Sequence, residues 1–220
     1  MLGSIKRLFA GAPSQEGWEA CEQWARAKGH VFKRTRDSGG FVIEAQGDEG
    51  WRLEWGPSQR DYISGGELRV RAELRDGPEL QMLVVSRMLM EALERQVFEE
   101  FTEGTQTRID TATPEEMRWL VMFPKFTAPE SKELREHYGA VGSVPDALPV
   151  WLNGALTEKL LEAARTWLAR EDRLVLIMQR GRLTLRTAMP QPEPARMESV
   201  AALFDVALSE SRRVVRHFNA

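Results

Sequence analysis

Apolar and charged residues alternate strictly through two stretches of the first third of the chain. In WRLEW (51–55) Trp51, Leu53 and Trp55 share one side, with Arg52 and Glu54 on the other. In ELRVRAEL (67–74) Leu68, Val70, Ala72 and Leu74 oppose Arg69, Arg71 and Glu73. A period of two belongs to a strand with one face buried and the other wet. HVFKRT (30–35) and GFVIEAQ (40–46) come before them, and DSGG (37–40) and GDEG (47–50) supply glycines suited to tight hairpins. The four segments predict an antiparallel sheet. Ahead of them Trp18, Cys21, Trp24 and Ala25 recur at helical spacing, which predicts a helix over about 14–28 with Ser14 as its N-cap.

DGPEL (76–80) predicts the start of a long helix that reaches about Phe101, with Pro78 near the first position. Its apolar residues (Leu83, Val85, Met88, Leu89, Met90, Leu93, Val97 and Phe98) are spread so widely that contact on more than one side is expected. Met82, Met88, Met90 and Met117 read as core filling, or alternatively as an adaptable binding surface. TATPEEMRWLVMF (111–123) opens another helix: Thr113 caps it, Pro114 comes first, and Glu115 and Glu116 complement its positive end. PESKELREHYG (129–139) predicts a short exposed helix, and AVGSVPDALPVWLNG (140–154) a Pro/Gly-rich connection. The last third predicts a helix over 156–168, strand RLVLIMQ (173–179), a turn at Arg180-Gly181, strand RLTLRTAM (182–189) and a helix from about 195 to 218.

The fold class these patterns predict is α+β, with antiparallel sheet or sheets flanked by helices. The organisation is an N-terminus at 1–13 that is flexible or anchoring, an α+β half with four strands at 14–104, a helical connection at 105–155 and an α-β-β-α half at 156–220. The two halves are candidates for a duplication. LRVRAEL (68–74) matches LTLRTAM (183–189), and MLMEAL (88–93) matches LFDVAL (203–208) at the same separation of 115 residues. EACEQWA (19–25) resembles EAARTWL (162–168) at a separation of 143. Convergence on a common α-β-β-α pattern is the alternative.

Composition narrows the partners. The chain of 220 residues is 42% hydrophobic, enough to bury one or two ordinary cores. A net charge of −3 offers no general attraction to nucleic acid or to an anionic membrane. Its 24 arginines against 6 lysines suit recognition of anions by guanidinium forks, although a GC-rich genome gives the same bias. Cys21 is the single cysteine, which excludes a disulfide within the chain and any cysteine-based metal site and fits a cytoplasmic location. No apolar run approaches the ~20 residues of a membrane span. MLGSIKRLFAGAPSQEG (1–17) sets Leu2, Ile5, Leu8 and Phe9 on one helical side beside Lys6 and Arg7, a candidate for weak contact with a membrane surface or for packing on a partner.

Catalytic signatures are missing: there is no G-x-G-x-x-G, G-x-x-x-x-G-K-[ST], H-E-x-x-H or G-x-S-x-G. No catalytic residue, cofactor or metal site is therefore assigned. His30, His137 and His217 fall in three separate elements, and His217 with Arg212, Arg213 and Arg216 suits the negative end of a helix. Glu99, Glu100, Glu103 and Asp110 lack the alternating oxygen ligands of a calcium loop. Cys21 lies on the apolar side of its helix, as an inert buried thiol does.

The unusual connection is WGPSQRDYISGG (55–66), where Gln59, Arg60, Asp61 and Tyr62 offer a fork, a carboxylate and a phenol. With the neighbouring arginines it gives the ligand-binding candidates Ser58, Gln59, Arg60, Tyr62, Arg69 and Arg71. The plainer account has Tyr62 and Ile63 covering a core edge while Arg60 and Asp61 are solvated. VMFPKF (121–126) is either a partner-binding surface, if exposed, or a hinge, if buried.

The leading functional expectation is a non-catalytic protein-binding domain, chaperone- or adaptor-like, that works through a protein partner or self-association. Its order of elements is similar to that of small bacterial secretion chaperones, which are acidic and dimeric, with no motif in common. The alternative is a small-anion or metabolite-binding domain, or an enzyme without a known signature, that uses the 58–62 loop and the adjacent arginines.

Overall fold

Nine strands hydrogen-bond into one antiparallel sheet in the computed structural model, which describes residues 15–35, 39–47, 50–74, 79–102, 114–127, 131–152 and 154–219. The strands are β1 (Val31–Arg34), β2 (Phe41–Glu44), β3 (Arg52–Pro57), β4 (Gly66–Glu73), β5 (Met82–Ser86), β6 (Lys125–Phe126), β7 (Tyr138–Gly142), β8 (Leu174–Gln179) and β9 (Arg182–Ala188). Across the sheet they run β1-β2-β3-β4-β9-β8-β5-β7-β6. The chain is thus an α+β fold, and its seven helices among the described residues lie on both faces of the sheet.

One face is covered along most of its width. Helices α1 (Gln15–Ala27), α5 (Ala147–Trp151), α6 (Ala155–Thr166) and α7 (Pro194–Asn219) bury their apolar sides against Leu53, Trp55, Leu68, Val70, Leu176, Leu183 and Leu185. Of these, Leu53, Trp55, Leu68 and Val70 belong to the inward set that the alternation marked. On α1, Cys21 and Ala25 point inward, and Trp18 meets Phe41 and Trp55 edge-on at 5.7 and 5.9 Å. Burial pushes the Cys21 thiol up to about 12, which disfavours the thiolate that a nucleophile needs.

The other face is covered over only half its width. There α2 (Arg87–Thr102) and α3 (Glu115–Met122) pack Leu89, Met90, Leu93, Val97, Met117, Trp119 and Leu120 onto Leu83, Val85, Val141, Val175 and Ile177 of β5, β7 and β8. Gly139 of β7 permits this approach, since a Cβ there would lie 1.9 Å from Met90 Sδ. Among the described residues no helix covers β3, β4 and β9 on this side, where Glu54, Arg69, Arg71, Thr184 and Arg186 project.

Three expectations need correction. The helix expected from 79 onward begins only at Arg87; residues 82–86 form β5, so the first stretch contributes five strands and not four. All five residues of β5 are buried because both of its faces are covered, and such a strand shows no alternation. The helix follows it without a loop, so the two apolar patterns run together. Within 105–155, Lys125–Phe126 and Tyr138–Gly142 are strands, and Ala147–Trp151 is a short helix in what reads as a bare connection. Of the four methionines, Met82, Met90 and Met117 are core and Met88 is exposed. VMFPKF divides: Val121 and Met122 are exposed, while Phe123 and Phe126 pack against the two cores. The expectations for the N-terminal stretch with Ser14, and for Pro78, Glu103, Asp110 and Thr113, lie outside the described residues.

The matched segments 68–74 and 183–189 fall on neighbouring strands, with Val70 directly opposite Leu185, 115 residues away. The local twofold axis of an antiparallel pair is normal to the sheet, so it keeps related helices on one face. The other matched segments, on α2 and α7, lie on opposite faces. Such an axis relates the strands and not these helices.

Candidate functional site

The uncovered part of the sheet holds a cleft of about 310 Å3, lined by Glu54, Gln59, Arg60, Arg69, Arg71, Ile177, Gln179, Arg180, Arg182, Thr184 and Arg186. Six of the eleven are arginines. They come from the connection after β3, from the wet side of β4 and from the β8–β9 hairpin. The register explains their convergence: Arg69 pairs with Arg186, Arg71 with Thr184 and Glu54 with Arg69, so the outward positions of three strands form one patch. The hairpin closes with Arg180 at φ 48° and Gly181 at φ 67°, two left-handed residues in sequence, and so places Arg180 and Arg182 at the end of the cleft.

Carboxylates hold the arginines in place. Glu67, fully buried, accepts from Arg186 Nη1 at 2.5 Å and from the Gln59 backbone N–H at 2.9 Å, with Arg69 Nη1 at 3.9 Å. Glu54 meets Arg52 at 2.6 Å, Arg71 at 3.2 Å and Arg69 at 3.3 Å. Burial pushes its carboxyl up, but the hydrogen bond from Arg52 and the three positive charges outweigh this and hold it below the usual range. Arg180 reaches Glu115 at 2.9 Å, and Arg182 reaches Glu73 at 2.8 Å.

Arg69 is the least satisfied of the set. Its side chain is only 14% exposed, and its Nε and Nη1 have no hydrogen-bond partner. Burial lowers its pKa, and the charges of Arg186 and Arg71 lower it further against the pull of Glu67 and Glu54. A buried guanidinium with spare donors suits an added anion. Gln179 also faces the cleft, and its Oε1 is buried without a partner.

Gln59, Arg60, Arg69 and Arg71 of the sequence candidates meet at this cleft. Ser58 and Tyr62 do not line it. The Ser58 hydroxyl closes its own turn, donating to the Arg60 carbonyl at 2.9 Å and accepting from the Arg60 N–H at 3.0 Å. Tyr62 turns toward α3 and donates to Glu116 Oε1 at 2.5 Å, as does Arg60 Nε at 2.5 Å. Burial and the Glu116 charge push the phenol up, which fits a structural donor and not an acid. Burial likewise raises Glu116, but the hydrogen bonds from Arg60 and Tyr62 and the Arg60 charge prevail and hold its carboxyl low. The strap Arg60–Glu116–Tyr62 thereby ties the 58–65 connection to the helices over the other half of the face.

Sequence reasoning missed Gln179, Arg180, Arg182, Thr184 and Arg186. The alternation of RLTLRTAM marks Arg182, Thr184 and Arg186 as a wet side, and its match to LRVRAEL marks that side as similar. What the pattern lacks is the pairing of β4 with β9. Among the described residues no group of three or more His, Cys, Asp or Glu could hold a metal ion. No helix among them is long and apolar enough to cross a membrane.

No family model matches the chain, and no curated protein does. Among solved structures, the crystal structure of the mycobacterial trehalose monomycolate transport factor A, TtfA, is similar over 92% of this chain and 96% of that one, with a TM-score of 0.49 and 7% identity. At that likeness nothing of the transport factor's role passes to this chain.

Proposed function

We propose that this protein is an anion-binding domain whose ligand, a phosphate- or carboxylate-bearing small molecule, sits in the arginine cleft. The observation that carries the proposal is Arg69: largely buried, beside a second largely buried arginine, and with two donors that nothing among the described residues satisfies. The cleft volume of about 310 Å3 lies at the lower end of small-molecule sites. Six guanidinium groups also supply more donors than their carboxylate partners accept.

Thermal unfolding and calorimetry with phosphate, pyrophosphate and citrate test this reading. Saturable binding at millimolar concentration or below is expected, with stabilisation that grows with ligand concentration and is lost in Arg69→Ala. No saturable binding of any of the three overturns it.

A second reading, docking of a protein or self-association, is favoured by Phe98, Val121 and Met122, exposed large apolar side chains on the paired helices α2 and α3. Light scattering after size exclusion tests it: a dimer in the wild type that Val121→Asp/Met122→Asp converts to monomer supports it, and a strict monomer removes self-association.

A further inference from the structure

The anion-binding reading leaves the rest of the ligand open, and the walls of the cleft restrict it. Among the described residues no aromatic side chain lines the cleft, and Ile177 is the one aliphatic residue of the lining. A nucleobase would therefore find no stacking platform and little apolar surface. The two sides of the cleft also ask for opposite things. On β4 and β9, Arg69 and Arg186 stand directly opposite each other with Arg71 two residues along, and Arg69 Nε and Nη1 need an acceptor. Three guanidinium groups so placed match the several equivalent oxygens of a phosphate better than the two of a carboxylate. On β8, Gln179 Oε1 is buried and needs a donor, and Thr184, opposite Ile177 on β9 and lining the same cleft, has a hydroxyl that can donate or accept. The dianion of a phosphate monoester offers acceptors only. A ligand that satisfies both sides carries an oxyanion at one end and hydroxyl groups at the other.

We infer that the cleft takes a phosphorylated polyol, with its phosphate on Arg69, Arg186 and Arg71 and its hydroxyls on Gln179 and Thr184. This rests on the anion-binding reading above and adds the body that carries the anion. A soluble sugar phosphate and the headgroup of a glycerol phospholipid share this chemistry.

Calorimetry on the full chain with inorganic phosphate, glucose 6-phosphate, glucose and adenosine monophosphate separates the parts. Glucose 6-phosphate is expected to bind at least tenfold more tightly than inorganic phosphate. Glucose alone should not bind, and adenosine monophosphate should bind no better than phosphate. Gln179→Leu should reduce the sugar-phosphate advantage over inorganic phosphate to about twofold or less, with a cooperative thermal transition showing that the variant is folded. Equal affinity for phosphate and glucose 6-phosphate overturns this inference and leaves the anion-binding reading intact, as does tighter binding of adenosine monophosphate. No binding of any anion overturns both. Sedimentation with phosphatidylglycerol vesicles identifies the source: binding that glucose 6-phosphate competes away supports the lipid headgroup, and sugar-phosphate binding without vesicle binding supports a soluble ligand.

Discussion

Arg69 and Arg186 face each other directly across β4 and β9, both side chains more than four-fifths buried, and share the fully buried carboxylate of Glu67. Like charges directly opposite on neighbouring strands are destabilising. Glu67 relieves the repulsion unequally, with Arg186 at 2.5 Å and Arg69 at 3.9 Å.

The inequality predicts unequal consequences for the two arginines. Arg186→Leu removes the close partner of a buried carboxylate and should cost about 3 kcal/mol. Arg69→Leu removes the like charge and leaves Glu67 with Arg186 and the Gln59 N–H, so its cost should stay below about 1 kcal/mol. Urea unfolding of the two variants measures this. Equal losses would show that the pair shares Glu67 evenly.

Glu116 predicts a limb in the acid stability of the protein. Its folded carboxyl lies below the ordinary 4.5, so it contributes stability that is present above that value and is lost as pH falls through the folded pKa. Tyr62→Phe removes a hydrogen bond to the ionised carboxylate, with a cost of about 1.5–3 kcal/mol at neutral pH. It also moves the folded pKa toward 4.5, so this part of the loss should narrow. Glu116→Gln should remove it. Thermal melts between pH 7 and pH 3 read the difference between each variant and the wild type.

Gly181 takes φ 67° in the two-residue turn that carries Arg180 and Arg182. Gly181→Ala should cost about 1–2 kcal/mol from the left-handed conformation alone, and Gly181→Asn should cost less. Chemical denaturation of the pair distinguishes backbone strain from loss of a specific contact, because either contact-based account would penalise asparagine at least as much.

Gly139 and Met90 form a packed pair that cannot accept another methyl group. Gly139→Ala should cost about 1–3 kcal/mol by overpacking. In Met90→Ala/Gly139→Ala the new methyl enters the space vacated by the thioether, so the double variant should lose less than the sum of the single ones. A double-mutant cycle in urea tests the coupling, and strict additivity would argue against direct contact.

The half-exposed strands were legible because each of their residues faces either a core or water, and their charges record which. β3, β4 and β9 fall where the pattern puts them, whereas β8, buried at five of its six positions, is marked only by its apolar run and the Arg180-Gly181 turn that follows it. β5 was not, because Met82–Ser86 is buried on both sides and runs straight into Arg87 of α2. β7 was hidden for a different reason. Tyr138 and Gly139 read as the end of a short helix and Gly142 as part of a Pro/Gly-rich connection, whereas Gly139 is required by the close approach of Met90. The cleft was half legible. Arg60, Arg69 and Arg71 are visible in one contiguous stretch, but Arg182 and Arg186 join them only through a pairing between residues more than a hundred positions apart. Alternation says which way a side chain points and nothing about which strand lies beside it.

The β8–β9 hairpin sits between β4 and β5, two strands that come far earlier in the chain. On a ribosome, β4 and β5 therefore emerge with open edges that no nearby segment can cover. The sheet closes when residues 174–188 arrive, which also bring half of the cleft's arginines. Until then the nascent chain exposes pairing edges of the kind that invite aggregation. Closure of the sheet therefore waits for this hairpin, and ligand binding can act only on chains in which it has docked.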